Sequence, residues 1–367
     1  MTSQTSPENE LATRMQNIAG ECIHCGRCER ECAFLQRYGD PGTLAKTWHE
    51  ENPGQDIIPF SCSLCGLCRE LCPRDLDMAG MFLAMRRHLV KLGRGNFPGH
   101  RGLLNFERLG SSKYLAGQLL PEGCDTIYFP GCALPGSRPD ITRALLRHLR
   151  ETIPRLGVVL NCCGKPSHDL GRQEPFTEHF SELKNSLQAQ GVRRVLVNCP
   201  NCFAVFKLYA QDLAIETVYQ HLNNVPLPEQ SGSGKAVIVH DPCVMRREPE
   251  VQKAARNLLD RMGEWLDPVK HNRDLTRCCG EGGAVHGVNP RLAETWAKRH
   301  VKEIHGEHLV TYCAGCAKQL GRHTPTSHIL DVVFAPEKSL AGTMKTSKAP
   351  LSYWHRWRLK KQLRKLL

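Results

Sequence analysis

The chain contains no apolar run approaching the length that a bilayer-spanning helix needs. Its opening, MTSQTSPENELATR, is polar and carries neither the apolar core nor the cleavage pattern of a signal peptide. Both absences point away from secretion and from an integral membrane protein, and toward the cytoplasm. Aromatic residues make up only 6% of the sequence, too few for a base-stacking platform, so the formal charge of +12 is not read as a nucleic-acid surface. Neither a G-x-G-x-x-G nor a Walker pattern occurs, so no nucleotide or flavin is expected in this chain. Acidic residues stop at Glu337, leaving a basic end.

Cysteine, by contrast, is abundant: 19 among 367 residues. In a reducing compartment thiols stay free, and clustered ones are metal ligands or redox groups before they are disulfides. Two runs share the form C-x2-C-x2-C-x3-C: CIHCGRCEREC from Cys22 to Cys32, and CSLCGLCRELCP from Cys62 to Pro73, with 29 residues between them. Zinc usually takes two close pairs set apart. Cysteines at successive third positions suit a cubane iron–sulfur cluster, and in two-cluster ferredoxins the fourth cysteine of each run serves the other cluster. The expected sets are therefore Cys22, Cys25, Cys28 and Cys72 for one [4Fe–4S] cluster, and Cys32, Cys62, Cys65 and Cys68 for the second. Such anionic clusters also offset the formal positive charge. Pro73 matches the proline that ends such runs, whereas Ala33 stands at that place in the first. Met78, Met81, Phe82, Met85 and Leu89 recur at helical spacing and read as helix core rather than thioether ligands. Pro41 and Gly42 suggest a turn. Residues 16–95 thus form a helical ferredoxin module, after a polar segment 1–15 and before a linker 96–122.

Ten further cysteines fall into two matching sets. Cys132, Cys162, Cys163, Cys199 and Cys202 are followed, 111 to 116 positions on, by Cys243, Cys278, Cys279, Cys313 and Cys316. TIYFPGC and AVIVHDPC end apolar runs at the first cysteine. VVLNCCGKPS and LTRCCGEGG share Cys-Cys-Gly, and RVLVNCPNC and HLVTYCAGC end buried-strand patterns in C-x2-C. Strands alternating with helical stretches predict two tandem α/β repeats with open sheets, 123–225 and 235–335. A linker at 226–234 separates them, and a basic tail, 336–367, follows. The cysteines then sit at strand ends, where such sheets gather ligands. Five thiolates exceed what one cubane takes. Vicinal cysteines suit neighbouring irons of a larger cluster; a cubane with a spare thiol, or zinc in each copy, are the alternatives. Cys124 matches nothing and reads as a plain thiol.

These motifs resemble the cysteine-rich CCG domains of the heterodisulfide reductase family. Together with the ferredoxin part, the stretch of roughly residues 16–335 is similar to that family's fused, D-type catalytic polypeptide. The resemblance implies a non-cubane [4Fe–4S] cluster for each complete motif, with the paired clusters cleaving or forming a disulfide. It also implies electron exchange with a flavoprotein or a membrane cytochrome. Relatives in glycerol-3-phosphate, glycolate and lactate systems imply the alternative, an electron conduit for a membrane-associated flavin dehydrogenase with no substrate of its own. A zinc-bearing scaffold is the non-catalytic alternative.

Reducing a disulfide also needs protons. His168, His240 and Glu281 lie near ligand cysteines and are candidate donors. The glycines of CCGEGGAVHGVN are expected to bring backbone N–H groups to cluster sulfurs rather than to bind phosphate. In LSYWHRWRLKKQLRKLL, Leu359, Leu363 and Leu366 share a helical face flanked by Trp354 and Trp357. The expectation is peripheral contact with the inner face of the cell membrane, or a dock for another protein of the same complex.

Overall fold

A computed structural model describes residues 7–228, 234–266, 268–304 and 307–364. The first helix, Pro7–Glu21, begins inside the segment read as a polar lead-in. Leu11 is buried, and Arg14 bonds both Glu10 and Asp77 on helix Met78–Lys91's N-terminal cap, so residues 7–15 belong to the helical module. Pro41 and Gly42, read as a turn, instead open helix Pro41–Thr47. Asp40 causes this: its carboxylate accepts from the Gly42 and Thr43 amides, and proline in the first turn has no amide to leave orphaned. Met78, Met81, Phe82, Met85 and Leu89 are all buried in the module's core, as their spacing predicts.

Two sheets follow. Strands β1 (Gly117–Leu119), β2 (Thr126–Phe129), β3 (Gly157–Leu160), β4 (Arg194–Val197) and β5 (Ala214–Thr217) form one in the order β1-β3-β2-β4-β5. Strands β6 (Ala236–His240), β7 (Trp265–Leu266), β8 (His308–Thr311) and β9 (Thr326–His328) form the other in the order β7-β6-β8-β9. Every pairing is parallel except β1 with β3. With β1 set aside the two orders are the same, so each repeat is one four-stranded parallel unit. β2 and β3 are buried throughout, which explains their unbroken apolar runs: helices cover both faces.

Residues 96–122 do more than connect. They carry helix Arg101–Gly110 and strand β1, whose Gly117 pairs with Leu160 at the edge of the first sheet. The 226–234 linker falls largely on residues outside those described.

The tail departs most from expectation. Helix Leu351–Arg364 packs on helix Leu134–Ser137, with Leu359 and Leu363 each 2% exposed and Arg356 and Lys360 buried beside them. Lys360 Nζ donates to the Lys113 carbonyl at 2.5 Å. The leucine stripe is therefore spent on the protein's own core and not left for lipid. Leu366 lies outside the described residues, while Trp354 and Trp357 remain exposed. Among the described residues, no helix is long and apolar enough to cross a membrane.

His100 sits where the helical module meets the second repeat, its ring tilted against Phe60, edge-on to Phe97 and against Gly287. Burial, then the nearby Arg86 charge, lowers its pKa to about 4. The unfolded chain takes up this proton first, so the associated stability is complete above about pH 6.5 and lost as pH falls toward 4. The loss amounts to up to about 3 kcal/mol. His100→Phe is expected to flatten that limb. Denaturant midpoints of both proteins at pH 7.5 and pH 5 check it, and parallel losses in the two would exclude His100 as the source.

Candidate metal centres

The two clustered runs fold alike. His24 (φ 51°) and Gly26 (φ 70°) match Leu64 (φ 57°) and Gly66 (φ 72°), the same alternation of left-handed residues. Gly26 and Gly66 then cap short helices, Arg27–Glu31 and Leu67–Glu70, which carry Cys28 and Cys68 and deliver Cys32 and Cys72 just past their ends. That extra turn carries each fourth cysteine across to the other run. One recess is lined by Cys22, Cys25, Cys28 and Cys72, and the other by Cys32, Cys62, Cys65 and Cys68 together with Cys278. We call these the outer and inner sets. Asp40 also stands at the outer set, 2.9 Å from His24 Nδ1.

Burial pushes the Cys28 thiol up to about 11 and Cys62 up to about 12, and raises Cys32 and Cys68 as well. As bare thiolates these groups are costly, and all 19 cysteines are free of disulfides. A cation resolves both facts. Four convergent soft sulfurs around each recess fit an iron–sulfur cluster.

In the repeats, the cysteines cap the C-terminal ends of the central strands. Cys132 and Cys243 follow β2 and β6. Cys162-Cys163 follows β3, and Cys278-Cys279 follows the β7 strand and its loop. Cys199 and Cys313 follow β4 and β8, with Cys202 and Cys316 in the first turn of helices Pro200–Tyr209 and Ala314–Leu320. The thiols touch in one order, Cys132–Cys162–Cys163–Cys202–Cys199, and the second repeat has the corresponding order Cys243–Cys278–Cys279–Cys316–Cys313. No cysteine of either five stands aside as a spare. Hydrogen bonds from Cys162 and Cys202 lower Cys163 to about 6, and Cys243 and Cys279 likewise hold Cys278 well below its usual range. The Gly280 amide donates to Cys278 Sγ at 3.3 Å, the role expected of the glycine-rich loop. Gly283 (φ 60°) does something else. A Cβ there would lie 2.6 Å from the Cys62 carbonyl, so its bareness lets the second repeat close on the inner set.

Of the candidate proton donors, His240 is 1% exposed, and a ring nitrogen lies within 4.8 Å of the Cys279 and Cys316 sulfurs. Its Nδ1 is 2.8 Å from His300 Nε2, and burial lowers its pKa to about 4. Glu281 is exposed beside Gly315 and near Cys313, whose thiol the Cys316 hydrogen bond holds below its usual range against the opposing Glu281 charge. His168 is otherwise engaged: Nδ1 meets Asp169 at 2.9 Å and Nε2 meets the Tyr209 hydroxyl at 3.0 Å. Cys124 is buried in the first repeat's core, its Sγ donating to the Thr126 carbonyl.

Sequence reading missed several residues. Arg246 donates from Nε to the Cys65 carbonyl at 3.1 Å. Glu107, bonded by Ser167 Oγ at 2.8 Å, is raised to about 7 by burial and adds negative charge near Cys162. Arg86 is fully buried between all three units. Its signal was present: an arginine four residues after Phe82, on the apolar stripe of a helix.

The four sets adjoin in series. Cys28 and Cys68 link outer to inner, Cys65 and Cys278 link inner to the second repeat, and Cys313 and Cys199 link second to first, each pair close enough to shift a thiol. At the last junction the Tyr219 hydroxyl lies 2.5 Å from the Asn198 carbonyl and 3.0 Å from the Tyr312 carbonyl, tying together the residues that precede Cys199 and Cys313.

Helical cysteine loops joined to two cysteine-edged α/β units define an iron–sulfur protein. The model of a 4Fe-4S dicluster domain matches residues 18–76, and that of the cysteine-rich CCG domain matches residues 126–207 and 237–321. The chain thus joins a 4Fe-4S dicluster domain to two cysteine-rich CCG domains, and D-type heterodisulfide reductase subunits are among the proteins it is similar to. It is 24% identical to the D subunit of dihydromethanophenazine:CoB–CoM heterodisulfide reductase from Methanosarcina barkeri, covering 90% of this chain and 95% of that one. The B subunit of fumarate reductase (CoM/CoB) from Methanothermobacter marburgensis is 26% identical over 80% of this chain and 66% of that protein. The glycolate oxidase iron–sulfur subunit of Escherichia coli is 22% identical over 91% and 85%. All three are oxidoreductase subunits by name.

Proposed function

We propose that this chain is the disulfide-handling, electron-transferring subunit of an oxidoreductase complex, interconverting a disulfide and two thiols between its repeats. The observation that carries the reading is the unbroken series of four cysteine sets, outer to inner to second repeat to first. Iron–sulfur clusters, cubane in the ferredoxin sets and non-cubane in the repeats, supply one-electron transfer when bound. Cys22, Cys25, Cys28 and Cys72 would hold the outer cluster, and Cys32, Cys62, Cys65 and Cys68 the inner. The five cysteines of each repeat would hold one more.

The overall change takes two electrons and two protons per disulfide cleaved and yields two thiols. Two facing repeats offer one sulfur-rich site to each substrate sulfur. Proton delivery falls to Glu281, exposed at the rim, with neutral His240 fixing the sulfur environment of the second repeat. His168, with both ring nitrogens taken, supports the first repeat's packing. Electrons enter or leave at the outer set, where Cys25 and Ile23 are exposed to a flavoprotein or cytochrome partner. Since the tail leucines are buried, membrane association comes through that partner.

The likeness to a glycolate oxidase iron–sulfur subunit over 91% of this chain supports a second reading, a conduit from a flavin dehydrogenase. Paramagnetic resonance separates the two. Adding thiols to the oxidised protein is expected to produce a new thiol-dependent signal, and its absence would favour the conduit. A colourless, iron-free protein after anaerobic reconstitution would leave only the zinc scaffold.

A further inference from the structure

The two repeats differ in how positive charge reaches their cysteines. In the second, Arg246 stands three positions after Cys243 and donates to the carbonyls of Cys65, Asp274 and Thr276. The matching residue in the first repeat is Pro135, which carries no charge. A guanidinium nevertheless arrives there from the far end of the chain. Arg356, on the C-terminal helix, is 2% exposed. Its Nη2 donates to the Gly110 carbonyl at 2.6 Å, its Nε is buried with no hydrogen-bond partner, and no ion pair takes it up among the described residues. A Cβ built on Gly110 would lie 2.9 Å from Arg356 Nη1, and 3.6 and 3.7 Å from the β-carbons of Cys132 and Cys162. The glycine backbone is thus where the arginine and two cysteines of the first repeat meet.

Packing alone does not account for this. Arg356, Leu359, Lys360 and Leu363 form one buried stripe. A helix docked only for its apolar face would carry an apolar residue at 356. A buried guanidinium without a carboxylate is strongly disfavoured unless another anion stands near, and a thiolate-ligated cluster is such an anion.

We propose that Arg356 is the counter-charge of the first repeat's metal site, which makes the C-terminal helix part of that site and raises its reduction potential. The proposal rests on the reading that this repeat holds an iron–sulfur cluster. A fixed positive charge beside the cluster favours the more negative, reduced form. Arg356 is a positioning residue: it touches no substrate and acts through the cluster's charge.

The test uses the full chain, reconstituted anaerobically, with Cys162→Ser identifying which iron and which paramagnetic signal belong to the first repeat. In a redox titration of that signal, Arg356→Met is expected to shift the oxidised-to-reduced ratio at the wild-type midpoint about tenfold toward oxidised. That is 59 mV for a one-electron couple. Arg356→Lys should restore most of it, and Arg358→Met, exposed on the same helix, should change nothing. Should Arg356→Met fail to hold the cluster, retention by Arg356→Lys supports the charge, and loss in both overturns it in favour of shape. An unshifted Arg356→Met also overturns it. If Cys162→Ser leaves the iron content intact, the cluster reading itself falls, and the counter-charge with it.

Discussion

Replacing Cys72 by serine is expected to strip iron from Cys22, Cys25 and Cys28, not from the run in which Cys72 lies. The short helix Leu67–Glu70 carries Cys72 away from Cys62 and Cys65 and into the recess of the other run, and Cys32 makes the reverse crossing. Cys72→Ser should therefore match Cys25→Ser in its remaining iron, each losing about four irons per chain, while Cys32→Ser should match Cys65→Ser. The two pairs differ in consequence. Loss of the inner cluster removes the neighbour of Cys278, so a reductant acting at the outer set no longer reaches the second repeat, and we expect its reduction to slow at least about tenfold. Loss of the outer cluster leaves the inner one beside Cys278 and spares that contact. Metal content and paramagnetic resonance of the four variants decide it. If Cys72→Ser instead loses the same signal as Cys65→Ser, each run is self-contained and the crossed arrangement is wrong. Metal removal from the whole protein should loosen the cysteine loops of the helical module as well, because their sulfurs would then face one another across each recess with no cation to bind them.

What could be read from residues alone was whatever a local constraint writes into spacing. Ligands of one cluster must converge within a few ångströms, so Cys22 to Cys32 and Cys62 to Cys72 announce themselves. A parallel strand buried on both faces must be apolar throughout, so β2, β4, β6 and β8 were visible as runs ending at a cysteine. Strand β1 was not, because Gly-Gln-Leu is three residues long and has no alternation to see. The tail's destination was hidden for a different reason. A leucine stripe looks the same whether lipid or protein covers it, and only the fold shows that Leu359 and Leu363 meet the first repeat. The arginines' partners were the least legible. Arg86's place on an apolar stripe marks it for burial but not for Gly283, 197 positions on, and nothing local points Arg356 to Gly110 across 246 positions. His168 shows the opposite error. Sequence proximity to Cys162 and Cys163 suggested proximity in space, whereas its ring is turned to Asp169 and Tyr209.

Arg86→Met is expected to loosen the junction of all three units at once. The guanidinium donates to Pro59 O at 2.9 Å and Cys62 O at 2.5 Å in the helical module, to Asp169 O at 2.5 Å in the first repeat, and to Gly283 O at 2.9 Å in the second. Burial lowers its pKa to about 10, yet it stays charged at neutral pH. The Asp169 carboxylate is already taken by Lys165 and His168, so this cation rests on carbonyl oxygens, on the Phe60 ring 5.2 Å away and on the nearby Cys62 sulfur. Methionine fills much of the space but leaves those carbonyls without a donor, at about 1 kcal/mol or more each. Relief of the buried charge offsets part of that, so a net loss of about 2–4 kcal/mol remains. Arg86→Lys separates charge from geometry: an ammonium keeps the positive charge beside Cys62 but cannot span carbonyls that lie on three sides. It should recover the inner cluster's potential more fully than the stability. Denaturant midpoints and redox titrations of the two variants measure these effects independently. The consequence for electron transfer follows from position, since Arg86 binds the carbonyl of an inner-set cysteine and a loop residue beside Cys278 and Cys279. With that tie gone the inner and second-repeat sets are no longer held at fixed separation, so Arg86→Met should slow reduction of the second repeat while the outer and inner clusters still reduce at the wild-type rate. A midpoint within about 0.5 kcal/mol of wild type, the size of an ordinary surface substitution, would mean that the three units are held together elsewhere.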